Sequence, residues 1–199
     1  MNPAAAVQEF RAAMARLEPE PTHTEHVARL AVRLFDDLRE LHGFGVAERT
    51  LLEGAACLHD IGWPESRNGS GHHKISARLI RRQKWTTLSP SEVDLLAQVA
   101  RYHRRAHPCS EHGDFHRLDA DGKHVVRALA ALLRLADALD RSHLQRVRDL
   151  KASADSRRIR LVLLAETEPA REIAACAKKG TLASEVFDRE IVVEASLVP

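Results

Sequence analysis

Ala55-Ala56-Cys57-Leu58-His59-Asp60-Ile61-Gly62 sets an imidazole beside a carboxylate at the end of an apolar stretch. Read with the residues before it, the stretch predicts a helix from Ala47 to Asp60 that turns Leu51, Leu52, Ala55 and Leu58 inward, with Ile61-Gly62-Trp63-Pro64 ending it. His59 and Asp60 then fall at the helix's C-terminal end, as half of a metal site. The other half is found upstream and downstream: His23 in Thr22-His23-Thr24-Glu25-His26-Val27-Ala28, and Asp137 in Leu133-Arg134-Leu135-Ala136-Asp137. His26 competes with His23, one turn away on the same helix. A chain that folds these segments together offers one cation a mixed nitrogen and oxygen ligand set, which suits manganese, iron, cobalt, nickel or zinc better than calcium.

The bulk properties narrow the setting. A chain of 199 residues fits one or two domains, and 44% hydrophobic residues suffice for a packed core. A net charge of +2 gives no general reason to bind nucleic acid or a membrane, and 4% aromatic residues leave few platforms for stacking bases. Cys57, Cys109 and Cys176 are too scattered for a disulfide framework or a thiolate zinc site, so a reducing cytoplasm is the default. Met1 to Glu18 lacks a signal-peptide core and no stretch approaches the length of a membrane span. A cytoplasmic protein without a membrane partner is the expectation.

With so few aromatics the core must come from Leu, Ala, Val and Ile, a composition suited to close-packed helices. Pro3 to Leu17 reads as a first helix, broken by Pro19 and Pro21; Thr22 or Thr24 then caps a second whose face runs Val27, Leu30, Ala31, Leu34 and Leu38. Ile75 to Lys84 reads as a short basic helix. Ser89-Pro90-Ser91-Glu92 is a capping-box start for a helix reaching about Arg104, a polar loop follows from Ala106 to Gly122 with a short turn around Phe115, and a long helix runs from about Lys123 to Gln145. From Lys151 the pattern changes to strands at Ile159–Leu164 and Glu190–Glu194 around a helix from Pro169 to Lys178. The expected architecture is mainly α: an N-terminal helix over residues 1–20 packed on a metal-binding helical bundle over 21–150, followed by a small α+β strand-helix-strand tail over 151–199.

The ordered set of His23 with Val27-Ala28, Leu58-His59-Asp60-Ile61-Gly62 and Leu135-Ala136-Asp137 resembles the HD superfamily of metal-dependent phosphohydrolases, over roughly Pro21 to Arg148. The resemblance implies an HD-domain helical bundle in which His23, His59, Asp60 and Asp137 bind a metal and Asp60 can bridge to a second. Gly71-His72-His73-Lys74-Ile75-Ser76-Ala77, Val99-Ala100-Arg101-Tyr102-His103-Arg104-Arg105 and Leu133 to His143 are similar to the C-terminal HD region of the Ppx/GppA exopolyphosphatase and guanosine-pentaphosphatase family, as is the tail. The actin-like domain that carries that family's main catalytic work is not matched by these residues. His72 and His103 correspond to extra ligands of two-metal HD members, while Arg104 stands where some of those place a further histidine. The implied cofactor is one divalent ion or two, drawn from manganese, iron, cobalt, nickel, zinc and magnesium.

Basic residues crowd these motifs, with Lys74, Arg104 and Arg141 nearest, so a small anionic phosphorylated substrate is the expected partner. The implied activity is hydrolysis of a phosphorylated nucleotide, alarmone or polyphosphate-like anion by a metal-bound water, with Asp60 orienting that water or taking its proton. The alternative is a non-catalytic module that binds polyphosphate or a nucleotide to regulate a partner. Pairing of the C-terminal strands could make a homodimer.

Overall fold

Asn2 accepts a hydrogen bond from Ala5 N at 3.3 Å, and Pro3 sits at the first helical position, where a missing N–H costs nothing. In the computed structural model, which describes residues 1–198, the helix so begun is α1, Pro3–Leu17; it buries Ala6, Phe10, Ala13 and Met14 along one face. The second helix, α2, Pro21–Asp37, corrects one expectation. Pro21 opens it rather than breaking the chain before it, Thr22 and Thr24 lie inside it, and Glu20 at its cap makes no side-chain bond to the helix's first turn. Pro21 brings a preset helical φ and no N–H to satisfy, and Thr24 Oγ1 donates back to Pro21 O.

A single turn, α3, Arg39–His42, leads into α4, Val46–Leu58, which ends one residue before His59 and two before Asp60. Then come α5, His72–Arg82, and α6, Pro90–Arg101. The Ser89 cap is as expected: Ser89 Oγ accepts from Glu92 N and Glu92 Oε2 from Ser89 N. The helix stops at Arg101, short of Arg104, and α5 begins three residues earlier than its apolar pattern suggested. The turn around Phe115 is α7, Gly113–His116. The long helix, α8, is Ala120–Ala138, shifted toward the N-terminus because Asp119 caps it through Gly122 N at 2.7 Å. Every residue from Ala128 to Asp140 is buried, so α8 is the axis on which α2, α4 and α6 pack.

The C-terminal part holds more than a strand-helix-strand. Strands β1, Val147–Ala154, and β2, Arg158–Ala165, pair antiparallel; helices α9, Ala170–Lys179, and α10, Thr181–Phe187, then cross to β3, Glu190–Leu197, which pairs parallel with β2. β1 escapes a period-two reading because a bulge between Val147 and Asp149 leaves Val147 and Leu150, three residues apart, as its buried pair. Its outer edge is sealed by α2: Arg29 donates to Arg148 O, Arg33 to Leu150 O, and Asp37 accepts from Ala152 N. Residues one turn apart on the helix meet alternate residues of the strand and leave that edge closed to foreign strands. The architecture is mainly helical with a small three-stranded sheet at the C-terminus. One hydrophobic cluster takes in residues from Ala6 to Ala183, and β1 runs across residue 150. Among the described residues no helix is long and apolar enough to cross a membrane.

Gly62 lets α5 reach the chain beside Asp60. A Cβ there would lie 2.5 Å from both His72 O and Ser76 N, backbone atoms that cannot step aside, and Gly62 N donates to Ser76 Oγ at 3.0 Å. Gly62→Ala is therefore expected to cost about 1–3 kcal/mol in urea denaturation, as overpacking does, while Gly113→Ala, with open space around its Cβ, should be near neutral. Equal stability of both variants would contradict the close approach. Burial also pushes the Cys57 and Cys176 thiols up to about 12, whereas Cys109 is partly exposed. Alkylation of the native protein at pH 8, read by mass spectrometry, should mark Cys109 and spare the other two; label on Cys57 or Cys176 would contradict this packing.

Candidate metal centre

The ends of four helices and one helix's first turn meet at one point. His23 lies in the first turn of α2, His59 caps the C-terminus of α4 with Asp60 next to it, His72 opens α5, His103 follows the end of α6, and Asp137 is the penultimate residue of α8. Their ligand atoms fall into two groups, His23–His59–Asp137 and Asp60–His72–His103, each within 4.8 Å of one another. Asp60 joins the groups. Its Oδ1 is 3.0 Å from His72 Nε2 and 3.4 Å from His103 Nε2, and its Oδ2 is 3.7 Å from His59 Nε2. His23 Nε2 faces Asp137 Oδ1 at 3.8 Å. His26 is not in either group; its Nδ1 meets Arg29 instead. His73 likewise stays outside, in the wall beside His72.

The proton positions follow from the partners. His59 Nδ1 lies 2.7 Å from Ala56 O, His72 Nδ1 2.9 Å from Gly69 O and His103 Nδ1 2.8 Å from Ala100 O, in each case a carbonyl three residues earlier. A carbonyl only accepts, so Nδ1 must carry the hydrogen, and a neutral ring then presents a bare lone pair at Nε2. His23 Nδ1 is fixed in the same sense by the Asp140 carboxylate at 2.8 Å. All four Nε2 lone pairs are thereby turned to the centre. His23 Nε2 and His59 Nε2 are buried with no hydrogen-bond partner, and those of His72 and His103 stand 3.2 Å apart. Lone pairs that face one another and a carboxylate repel, and buried polar atoms without partners are rare; a cation between them would resolve both faults. Each group could hold a divalent ion.

The electrostatics agree. Burial pushes His59 and His103 down, toward the neutral form a ligand needs. Burial also lowers His23, but the Asp140 hydrogen bond and Asp137 outweigh it and raise that ring, which makes its nitrogen more basic. Burial works against the charges of Asp60 and Asp137. Positive charge on the facing rings, His59 first, nonetheless draws the Asp60 carboxyl below the usual carboxylate range, the role that a bound cation would take over once the rings are neutral, and the Lys179 ammonium chiefly does the same for Asp137.

Of the basic residues, Lys74 and Arg104 line a cavity of about 290 Å³ with Ser70, His73 and Tyr102, and Arg104 Nη1 sits within 3.3 Å of both ring nitrogens of His72. A neighbouring cavity of about 400 Å³ shares Lys74 and continues over α5 along Arg78, Arg81 and Arg82. Arg141, exposed in the turn after α8, lines neither cavity. Arg134 turns inward, donating to Tyr102 O, Arg105 O and Lys179 O.

Three residues at the centre carry no sequence signal of their own. Asp140 orients His23 from α8's C-terminal turn, Lys179 of α9 ion-pairs with Asp137, and Glu18 is a buried carboxyl pushed up to about 7 by burial, with Asp60 adding to the rise. Asp140 follows Asp137 by three residues in the quoted motif, which was the available clue. For Lys179 and Glu18 there was none.

The family description "Ppx/GppA phosphatase, domain III" matches residues 11–173, from within α1 to the first turn of α9. No curated protein matches the chain. That match spans α2 to α8 and with them all six residues of the two groups. With most of its length so matched, the chain belongs to the Ppx/GppA phosphatase family, as a relative of that family's domain III, and through it has its link to the phosphate-releasing hydrolases.

Proposed function

We propose that the chain is a metal-dependent phosphohydrolase with an HD-type centre, acting on a phosphorylated nucleotide, alarmone or polyphosphate-like anion. One observation carries the reading: imidazole Nε2 atoms, each with its Nδ1 hydrogen committed elsewhere, converge on either side of a single carboxylate, Asp60. His23, His59 and Asp137 would hold one ion and His72 and His103 a second, with Asp60 between them. Four imidazoles favour manganese, iron, cobalt, nickel or zinc over magnesium. A divalent ion there supplies charge for a phosphoryl group and acidifies water toward neutral pH.

The chain's own groups account for the rest. Asp60 stays a carboxylate between the two groups, so it can orient a water by accepting its hydrogen bond. Arg104, whose Nη1 lies against the His72 ring, and Lys74, which lines the same 290 Å³ cavity, would hold phosphate oxygens. The N-terminal turn of α5 is fixed by Gly62, which keeps His72 on Asp60. Rigid placement of this kind lets the reacting groups meet without further ordering.

Phosphate release from nucleotides, guanosine polyphosphates and polyphosphate, screened over several divalent ions, should show metal-dependent turnover. Asp60→Ala should lower it by at least about a hundredfold, the usual weight of one electrostatic group at a reacting centre, with far-UV circular dichroism unchanged. Undiminished turnover in that variant, or metal-loaded wild-type protein that binds polyphosphate and releases nothing, would contradict the reading. Lys74→Ala should raise KM about tenfold and leave kcat nearly as it is, as loss of a charged hydrogen bond made equally in ground and transition states does; a fall in kcat at constant KM would place Lys74 elsewhere in the reaction.

A further inference from the structure

Lys179 ends α9, in the tail, beyond the last residue of the family match. Its Nζ nevertheless rests on Asp137 Oδ2 of the first group, and Arg134 ties its carbonyl to that of Tyr102, the residue before His103 of the second. The lysine is also the more open partner, its side chain 20% exposed against 12% for Asp137 and 4% for His23.

The placement is built. At the start of α9, Glu172 is fully buried and accepts from Ser142 N at 3.0 Å, in the turn that follows Asp140. At its end, buried Arg134 donates to Lys179 O as well as to Tyr102 O and Arg105 O, locking the lysine's backbone to the segment that carries His103. Gly180 closes the helix with its N–H on Cys176 O, where a Cβ would come within 2.7 Å of that oxygen. Held at both ends, α9 does not need the Lys179–Asp137 pair to stay in place. Asp137 in turn presents Oδ1 to His23 and Oδ2 to Lys179, so the ammonium need not leave for Oδ1 to act as a ligand.

We propose that Lys179 is a further phosphate-binding cation of this centre, resting on Asp137 until a phosphoryl group arrives and then donating to one of its oxygens. The proposal rests on the phosphohydrolase reading and deepens it: the tail, through one lysine, completes the substrate site of the helical bundle. A mobile ammonium with three donors suits a group whose oxygens change position and charge during transfer.

The test is calorimetric titration of inorganic phosphate into manganese-loaded wild type, Lys179→Met and Lys179→Arg, with manganese affinity and thermal midpoint measured on each. Expected is phosphate binding weakened about 10- to 100-fold in Lys179→Met, the weight of a charged hydrogen bond, and largely recovered in Lys179→Arg, with manganese affinity held or raised. Phosphate binding equal to wild type in Lys179→Met overturns the proposal. So does a parallel loss of manganese, or failure of that variant to fold, since either makes the pair a support for Asp137. Wild type that takes up no phosphate overturns it as well. Wild type that binds manganese and phosphate through Lys179 yet hydrolyses no ester removes the enzymatic reading and leaves the lysine's assignment standing.

Discussion

Three imidazoles give their Nδ1 hydrogens to carbonyls three residues behind them, and the centre depends on that commitment. Helix ends leave carbonyls without partners; at α4 the ring of His59 satisfies Ala56 O, and just past α6 the ring of His103 satisfies Ala100 O. Each bond spares a buried carbonyl about 1–3 kcal/mol. The same bond fixes the tautomer, so the helix-ending function and the ligand function are one piece of geometry. His72 repeats it as the first residue of α5, using the loop carbonyl Gly69 O across the left-handed turn at Gly71. Asp60 then has no choice of surroundings: lone pairs face its carboxylate from both sides, a repulsion that a cation between them would relieve.

Packing brings the helix ends to a common point. α8 is buried through its second half and delivers Asp137 and Asp140 together, one to the centre and one behind His23. Gly62 admits α5 to van der Waals distance of the residues after Asp60. Arg134, which a count of basic residues near the motif would enrol as a phosphate ligand, instead spends its donors on three carbonyls and joins the tail to the bundle. The sheet is anchored the same way, by Arg29, Arg33 and Asp37 of α2 along the outer edge of β1.

The sequence was most legible where chemistry and helix ends coincide. His59-Asp60 stood at a visible helix terminus, and the apolar spacing of α4 and α8 put His59 and Asp137 on faces that turn inward. The choice of His23 over His26 was harder, because both are buried one turn apart, and only the Asp140 carboxylate, 117 residues away, separates them. Lys179 reaches Asp137 across 42 residues from a helix whose pattern announces only a wet basic end. Contacts of that span leave no local mark. β1 was hidden by its bulge and Pro21 by its double meaning, as a breaker of one helix or the first residue of the next; in both cases tertiary packing decided between locally equivalent readings. Arg134 stands three residues before Asp137 yet turns its donors to backbone carbonyls, because a one-dimensional run cannot say which side of a helix faces the centre.

Anomalous diffraction from crystals grown with manganese tests the account most directly. Two peaks per chain are predicted, one among His23, His59 and Asp137 and one against His72 and His103, with Asp60 between them. An empty centre, or manganese bound away from Asp60, would contradict it.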